Sequence, residues 1–436
     1  MASSVIALAT LVVFWVWGRI DNWISARALA NYRPAPVPKD PTYKTADISI
    51  VVPTKATSAK LMSCLRFWAL NYPKEIIIST VHDKAAAFTQ LIAEDELIRR
   101  LKQETGLVVK VVSVPKGRRR IQLVEGIGHA TGRLIATTDD HIQWPSRDYL
   151  RDMAACFEDP TVGAAGPMIG VYVPSDQRNN PASLSLWDVL AMRMAHKRNQ
   201  AQKISYARSR WCFILPGTAT LIRPEIVQNP AYVNAFLNDF WGTHRLDVSD
   251  NTFTSRWLQS RGWTIAVQDT PNTTVLRTSR VEMRAYFKQI MRWEHSSDAS
   301  RGAPGLGDWY VARKTVERVL RPLISTVHIA AWVVTGFGWP RFALLLLGYY
   351  VLEALSGYWR FFREHPYMLK YWYAAVAADY VYILQDYWAW ATLNKNSREA
   401  RTQAPLGAVR NPKPRTEVHG TTYPTSKAEM LEWLKN

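Results

Sequence analysis

Four short apolar, β-branched runs punctuate the first third of the chain and limit what it can fold into. They are Ile48–Val52, Glu75–Val81, Leu107–Val114 and Leu134–Thr137. Between them lie stretches of helical character, Ser58–Leu70, Ala85–Gln103 and Arg119–Ala130. Strands alternating with helices imply βαβ units and a mostly parallel, α/β sheet. Such a sheet binds ligands beyond the carboxyl ends of its strands. The residues to inspect are therefore Pro53-Thr54 after the first run, His82-Asp83 after the second and Asp139-Asp140-His141 after the fourth.

Apolar segments bracket this region. Met1–Gly18 carries no charge and Val5–Trp17 is almost wholly apolar; a helix crossing a bilayer needs about 20 such residues. Trp15, Trp17 and Trp23 suit the interface, and Arg19 and Arg27 can snorkel. The alternative, a signal peptide cut after Ala28-Leu29-Ala30, is opposed by the uncharged start and by polar residues before that point. Residues 1–30 are thus expected to form an anchor. Residues 31–44, with Pro34, Pro36, Pro38 and Pro41, read as an extended linker. The α/β domain spans 45–315, transmembrane or interfacial helices 316–394, and a flexible basic tail 395–436.

The trailing part contains three long apolar runs, Val319–Gly338, Phe342–Trp359 and Met368–Leu393. Gly338-Trp339-Pro340 breaks the first two into a helical hairpin. The third mixes Asp379, Gln385 and Asp386 with aromatics such as Tyr380 and Trp388, so its polar groups should face protein or a wet passage. A helix lying on the membrane is the alternative. Basic residues flank the first segment, which puts the α/β domain on the cytoplasmic side, with the plasma membrane as the expected location. Both the loop 360–370 and the tail are basic, so charge leaves open whether two or three trailing segments span.

Lys and Arg number 54 against 36 Asp and Glu, a net charge of +18. This fits nucleic acid, anionic lipid or a phosphate-bearing substrate. Pro115-Lys116-Gly117-Arg118-Arg119-Arg120 opens a helix, and amides there plus guanidinium charge make an anion site; a solvated charge run is the plain alternative. No aromatic interleaving or recognition motif points to nucleic acid. Asp139, Asp140 and His141 at one strand end can hold a divalent cation, Mn2+ or Mg2+, that neutralises a diphosphate, or can simply form a solvated turn. In Gln289-Ile290-Met291-Arg292-Trp293, Gln289 and Arg292 share a helix face, and an Arg beside a Trp can fork a phosphate. The three cysteines, Cys64, Cys156 and Cys212, match no zinc or disulfide pattern.

The order of these pieces resembles the processive family 2 glycosyltransferases, the cellulose, chitin and hyaluronan synthases, over roughly residues 45–395. The layout is most similar to short fungal polysaccharide synthases. The resemblance implies a GT-A-type, Rossmann-like domain that binds a UDP-sugar donor and a growing glycan acceptor. Pro53, Thr54 and Asp83 match the nucleotide-binding strand ends, and Gly117-Arg118-Arg119 is a near match to a Gly-Lys-Arg stretch. Asp139-Asp140-His141 matches the metal-binding Asp-x-Asp, with His141 in place of the last Asp. In that match Asp140 is the central residue, and it becomes a metal candidate in the register below; Asp139 is assigned to the donor, and Asp140 and His141 to the metal. A shift by one residue equates Thr138-Asp139-Asp140 with the motif instead.

Gly217-Thr218-Ala219-Thr220 resembles an acceptor-side segment that ends in Arg223. Ser249-Asp250-Asn251 aligns with the motif that supplies the base, but Asn251 stands where the family has its Asp. Asp250 is the assigned base and Asp247 the reserve. Gln289, Arg292 and Trp293 match the motif that holds the diphosphate and the acceptor end. The implied activity is an inverting transfer that builds and exports a cell-surface polysaccharide. The rivals are a ceramide-type glycolipid glucosyltransferase and an inactive membrane-anchored binding protein.

Overall fold

The computed structural model describes residues 2–55, 59–115, 117–171, 184–210, 218–241, 250–277 and 320–377, with shorter pieces between and beyond them. Its strands are β1 (Ile48–Pro53), β2 (Glu75–Val81), β3 (Val108–Val114), β4 (Leu134–Thr138), β5 (Ile142–Gln143), β6 (Val162–Val171), β7 (Ala219–Ile222), β8 (Phe240–Trp241), β9 (His244–Arg245), β10 (Thr264–Gln268) and β11 (Thr274–Arg277). Its helices are α1 (Ala2–Asn31), α2 (Ala59–Ala69), α3 (His82–Glu94), α4 (Glu96–Thr105), α5 (Arg119–Gly128), α6 (Tyr149–Ala154), α7 (Leu186–Ser209), α8 (Pro224–Val227), α9 (Pro230–Leu237), α10 (Asp250–Gln259), α11 (Arg321–Gly338) and α12 (Pro340–Glu364).

Among the described residues nine strands form the main sheet, in the order β3-β2-β1-β4-β7-β6-β11-β5 with β10 also on β6. Strands β3, β2, β1 and β4 are mutually parallel, β7 runs antiparallel between β4 and β6, and β6 pairs in parallel with β10 and then β11. The pleat sorts β1 by alternation: Ile48, Ile50 and Val52 join the core with Trp68 and Phe88, whereas Val51 joins Leu123, Val124 and Ile127 across the sheet. Helices therefore cover both faces, as a buried parallel sheet requires.

The expected helix Ala85–Gln103 is two helices. Asp95 accepts the Ile98 amide at 3.1 Å and an Arg66 Nε–H at 2.9 Å. It thereby ends α3 and caps α4, a side-chain competition with the backbone that apolar spacing does not reveal.

The proline segment after α1 forms neither helix nor strand and is a docked strap. Tyr32 donates to Val267 O at 2.9 Å, Ala35 and Gln268 exchange two hydrogen bonds, and Thr42 donates from N–H and hydroxyl to Glu158 at 2.8 and 2.6 Å. Proline fixes φ and removes a donor, which suits a segment held by side chains rather than by a ladder.

Two of the described helices, α1 and α12, are long and apolar enough to cross a membrane. Helices α11 and α12 turn back on each other at Trp339, with Trp332 edge-on to Tyr350. α1 lies against α11 through Leu11 and Ala331 and the Phe14–His328 stack, and against α12 through Trp15 and Tyr349, while Asp21 pairs with Arg313, ahead of α11. The third apolar run begins as a 3-10 turn, Pro366–Tyr371, and Met368, Ala374 and Ala375 bury against α7. Tyr380, Gln385, Asp386 and residues 395–436 lie outside the described residues.

Candidate active site

The carboxyl ends of β1 and β4 meet the starts of α5 and α10. Thr54 leaves β1 with each polar group engaged. Its amide donates to Ser79 O at 2.9 Å, its carbonyl accepts from Gln122 Nε2 at 2.8 Å, and its hydroxyl donates to Asp140 Oδ2 at 2.6 Å. Thr54 thus positions Asp140. Pro53 is the last, buried residue of β1, in register with Ser79. Asp83 lies exposed in the first turn of α3, just past the end of β2. Gly117 brings this edge close: a methyl group there would stand 2.8 Å from Val81 Cγ1 and crowd the Lys55 side chain.

The turn after β4 is tight, with Ile142 donating to Asp139 O at 3.2 Å and Asp139 to Thr218 O at 3.3 Å. His141 Nδ1 lies 3.1 Å from Asp140 Oδ1. Burial pushes the Asp140 carboxyl up, but hydrogen bonds from His141 and Thr54 and the charge of Arg119 outweigh it and hold it below its ordinary value. Asp139 turns the other way, onto Arg119 at 2.5 Å.

Arg119 is the hinge of the cluster. Its Nε donates to Asp250 Oδ2 at 2.7 Å while its NH2 takes Asp139. The other Asp250 oxygen stands 3.3 Å from Arg120 Nε. Arg120 is 3% exposed, donates to Phe236 O and Asp239, and lies over the Phe236 and Phe253 rings at 4.8 and 5.5 Å. Asp250 is buried in the first turn of α10, where a carboxylate also complements the helix dipole. The expected base is therefore clasped by two guanidiniums in this state.

Arg118 is the N-cap residue of α5, beside the amides of its first turn. Sequence reasoning missed Gln122 and Asp239, and placed Arg120 only in the basic run; together they build the site from beneath. A Gln in a helix packed on the sheet was the available signal for Gln122. Arg223, expected on the acceptor side, is instead buried and donates to Val162 O, Phe157 O and Tyr43 at 2.7, 3.1 and 2.9 Å. Asp247, Gln289, Arg292 and Trp293 lie outside the described residues.

A divalent cation fits the donor chemistry of the β4 end. Asp140 is an ionised carboxylate with an imidazole beside it, and oxygen with nitrogen donors suits manganese-like ions. Asp139 is drawn off to Arg119, so the three side chains do not converge on one point. Among the described residues the group of three that does so is His196, Glu364 and His365, far along the chain.

A mostly parallel sheet with two reversed strands, β7 and β5, an acidic strand end and an arginine-headed helix define the chain as a GT-A-like enzyme that takes a nucleotide-linked donor. Residues 46–296 match the model described as glycosyltransferase like family 2, and the chain belongs to that family. It is 26% identical over 399 residues to the NDP-glycosyltransferase ltbB of Aspergillus luteorubrus, covering 88% of this chain and 96% of the relative. A type 2 glycosyltransferase of Zymoseptoria tritici is 26% identical over 459 residues, covering 97% and 92%. Among solved structures, mannosyltransferase PcManGT from Pyrobaculum calidifontis, in complex with GDP-Man and Mn2+, superposes with a TM-score of 0.51 at 19% identity. That match covers 86% of this chain and 98% of the other. The protein is a family 2 glycosyltransferase using a nucleotide sugar.

Proposed function

We propose that this enzyme is membrane-anchored, uses a UDP-sugar and transfers it with inversion, in the manner of the short fungal polysaccharide synthases. The carrying observation is the ion-paired set Asp139–Arg119–Asp250–Arg120 at the mouth of the sheet. Two carboxylates and two guanidiniums neutralise each other before substrate arrives. A diphosphate competes for Arg119 and Arg118 by charge-assisted hydrogen bonds. As Arg119 turns to phosphate, Asp250 loses one of its two cations and becomes a stronger acceptor for the proton of an acceptor hydroxyl. Donor binding thus prepares the base.

Asp140 and His141 would hold the divalent cation, with Thr54 fixing the Asp140 rotamer. When bound, that ion supplies positive charge against the departing diphosphate. Gln289, Arg292 and Trp293 are assigned to the diphosphate and the acceptor end, and Asp83 and Pro53 to the nucleoside. α1 and α12 anchor the domain, with their length and composition in support; the plasma membrane with a cytoplasmic catalytic face remains the preferred placement.

A second reading, single transfer to a lipid, is favoured by one contact. Asp379, a polar residue of the third apolar run, is taken by Arg193 at 3.2 Å, Lys197 at 2.9 Å and Tyr358 at 2.9 Å. It therefore serves packing in this state. The test is a panel of UDP-sugars supplied to one side of sealed vesicles containing the full chain. Polymer on the far side supports synthesis with export. A one-sugar glycolipid selects the second reading, and turnover with no UDP-sugar but with a GDP-sugar overturns the donor assignment.

A further inference from the structure

We propose that His196, Glu364 and His365 form a second metal site, for a transition ion of the zinc class, which clips α7 of the catalytic domain to the end of α12. One ligand atom from each of the three lies within 4.8 Å of the others. His196 Nδ1 and Glu364 Oε2 are 3.2 Å apart. Donor atoms around tetrahedral zinc, bound at roughly 2.0–2.1 Å, stand about 3.3 Å apart. One pair already stands near that spacing, and the third donor atom lies within 4.8 Å of both.

The framework beneath it is ordered by packing. Phe361 is fully buried and meets both imidazoles edge-on, His196 at 5.6 Å and His365 at 5.2 Å between ring centroids. One ring thus sets both histidines on the same side. Tyr367 Oη, 3.3 Å from His365 Nδ1, orients the second imidazole, the role outer-shell partners play at metal-bound histidine. Glu364 is exposed, so water can complete four-coordination.

The neighbouring charges also permit a cation. Arg193 and Lys197 on the same helix are engaged by Asp379, and Lys203 by Asp269 at 2.7 Å. Two imidazoles and one carboxylate select zinc-class ions over magnesium, which separates this site from the oxygen-rich β4 end.

The experiment equilibrates full-length protein in detergent with Zn2+ alone against a chelating indicator, and follows Co2+ by its visible spectrum. The parent chain should hold one tight equivalent that Asp140→Asn retains. Glu364→Gln, at an exposed residue whose change does not endanger folding, should weaken it by about tenfold or more, and His365→Gln should abolish it. Zn2+ should raise the thermal midpoint of the parent and not of His365→Gln. Binding unchanged within twofold in both variants, or loss of the equivalent in Asp140→Asn alone, overturns the site.

Discussion

Arg119 donates from Nε to Asp250 Oδ2 at 2.7 Å, although 131 residues separate them in sequence. Because the same guanidinium also holds Asp139, it couples the donor end of β4 to the residue assigned as base. Arg119→Lys keeps one charge but cannot span both carboxylates with a fork. It should lower kcat/KM by about 30-fold, roughly 2 kcal/mol of lost transition-state stabilisation, with donor KM and kcat both affected. Asp250→Asn should leave donor KM near the parent value and cut kcat by about a hundredfold or more. Steady-state kinetics with donor varied at saturating acceptor distinguishes the two. A fully active Asp250→Asn enzyme transfers the base role to Asp247.

Thr54 offers a finer test, since its hydroxyl donates to Asp140. Thr54→Val keeps shape and removes one hydrogen bond that helps hold the Asp140 carboxyl low. The Asp140 pKa should rise toward its ordinary value, so ionisation is lost at a higher pH than in the parent. The cation concentration for half-maximal rate should increase about two- to tenfold. That penalty should grow as pH falls and vanish in alkaline buffer. A cation requirement unchanged across the pH range counts against Asp140 as a ligand.

Much of the sheet and its carboxyl edge was legible in the chain because strand ends are local. The β-branched runs gave β1, β2, β3 and β4 within a residue or two, and the topology rule then located Thr54, Asp83 and Asp139–His141. What the sequence did not carry is pairing between distant segments. Nothing in Arg118-Arg119-Arg120 says that one guanidinium bridges two carboxylates while the next sits under aromatic rings. Likewise Arg223 looked like a site residue by position, but three oxygen partners make it a brace between β6, the Phe157 turn and Tyr43. Side-chain polarity alone does not say which of these an arginine will be.

Glu75 supplies a stability prediction away from the chemistry. It is 2% exposed at the start of β2 and accepts from Lys110 at 2.7 Å, Ser49 at 2.6 Å and Thr131. Burial pushes its carboxyl up, yet Lys110, Ser49 and Thr131 bring it down to about 2 from 4.5. A group whose folded pKa is depressed stabilises above its unfolded value and loses that contribution as pH falls through the folded one. Glu75→Gln should therefore cost about 1–3 kcal/mol at neutral pH. The difference in thermal midpoint from the parent should persist down to roughly pH 4.5 and close as pH approaches 2. A gap that stays constant over that range removes the ion pair as its cause.

Asp379 decides between packing and passage in the trailing helices. Arg193 is 8% exposed, faces Asp379, and lies over the Tyr358 and Phe361 rings at 4.7 and 5.4 Å. Taking the charge from Asp379 leaves that arginine desolvated with a neutral partner, a change that costs about 1–3 kcal/mol when hydrogen bonds survive. If Asp379 fastens the third run to α7, Asp379→Asn should lower the thermal midpoint of the full-length protein. Lys197→Met should do so less, because Lys197 is 46% exposed. In both variants the products made by the surviving enzyme should keep their size distribution. If Asp379 lines a sugar path instead, Asp379→Asn should leave the midpoint in place and shift the product lengths. Measuring midpoint and product size on the same preparations separates these outcomes, since fastening moves the first and conduction the second.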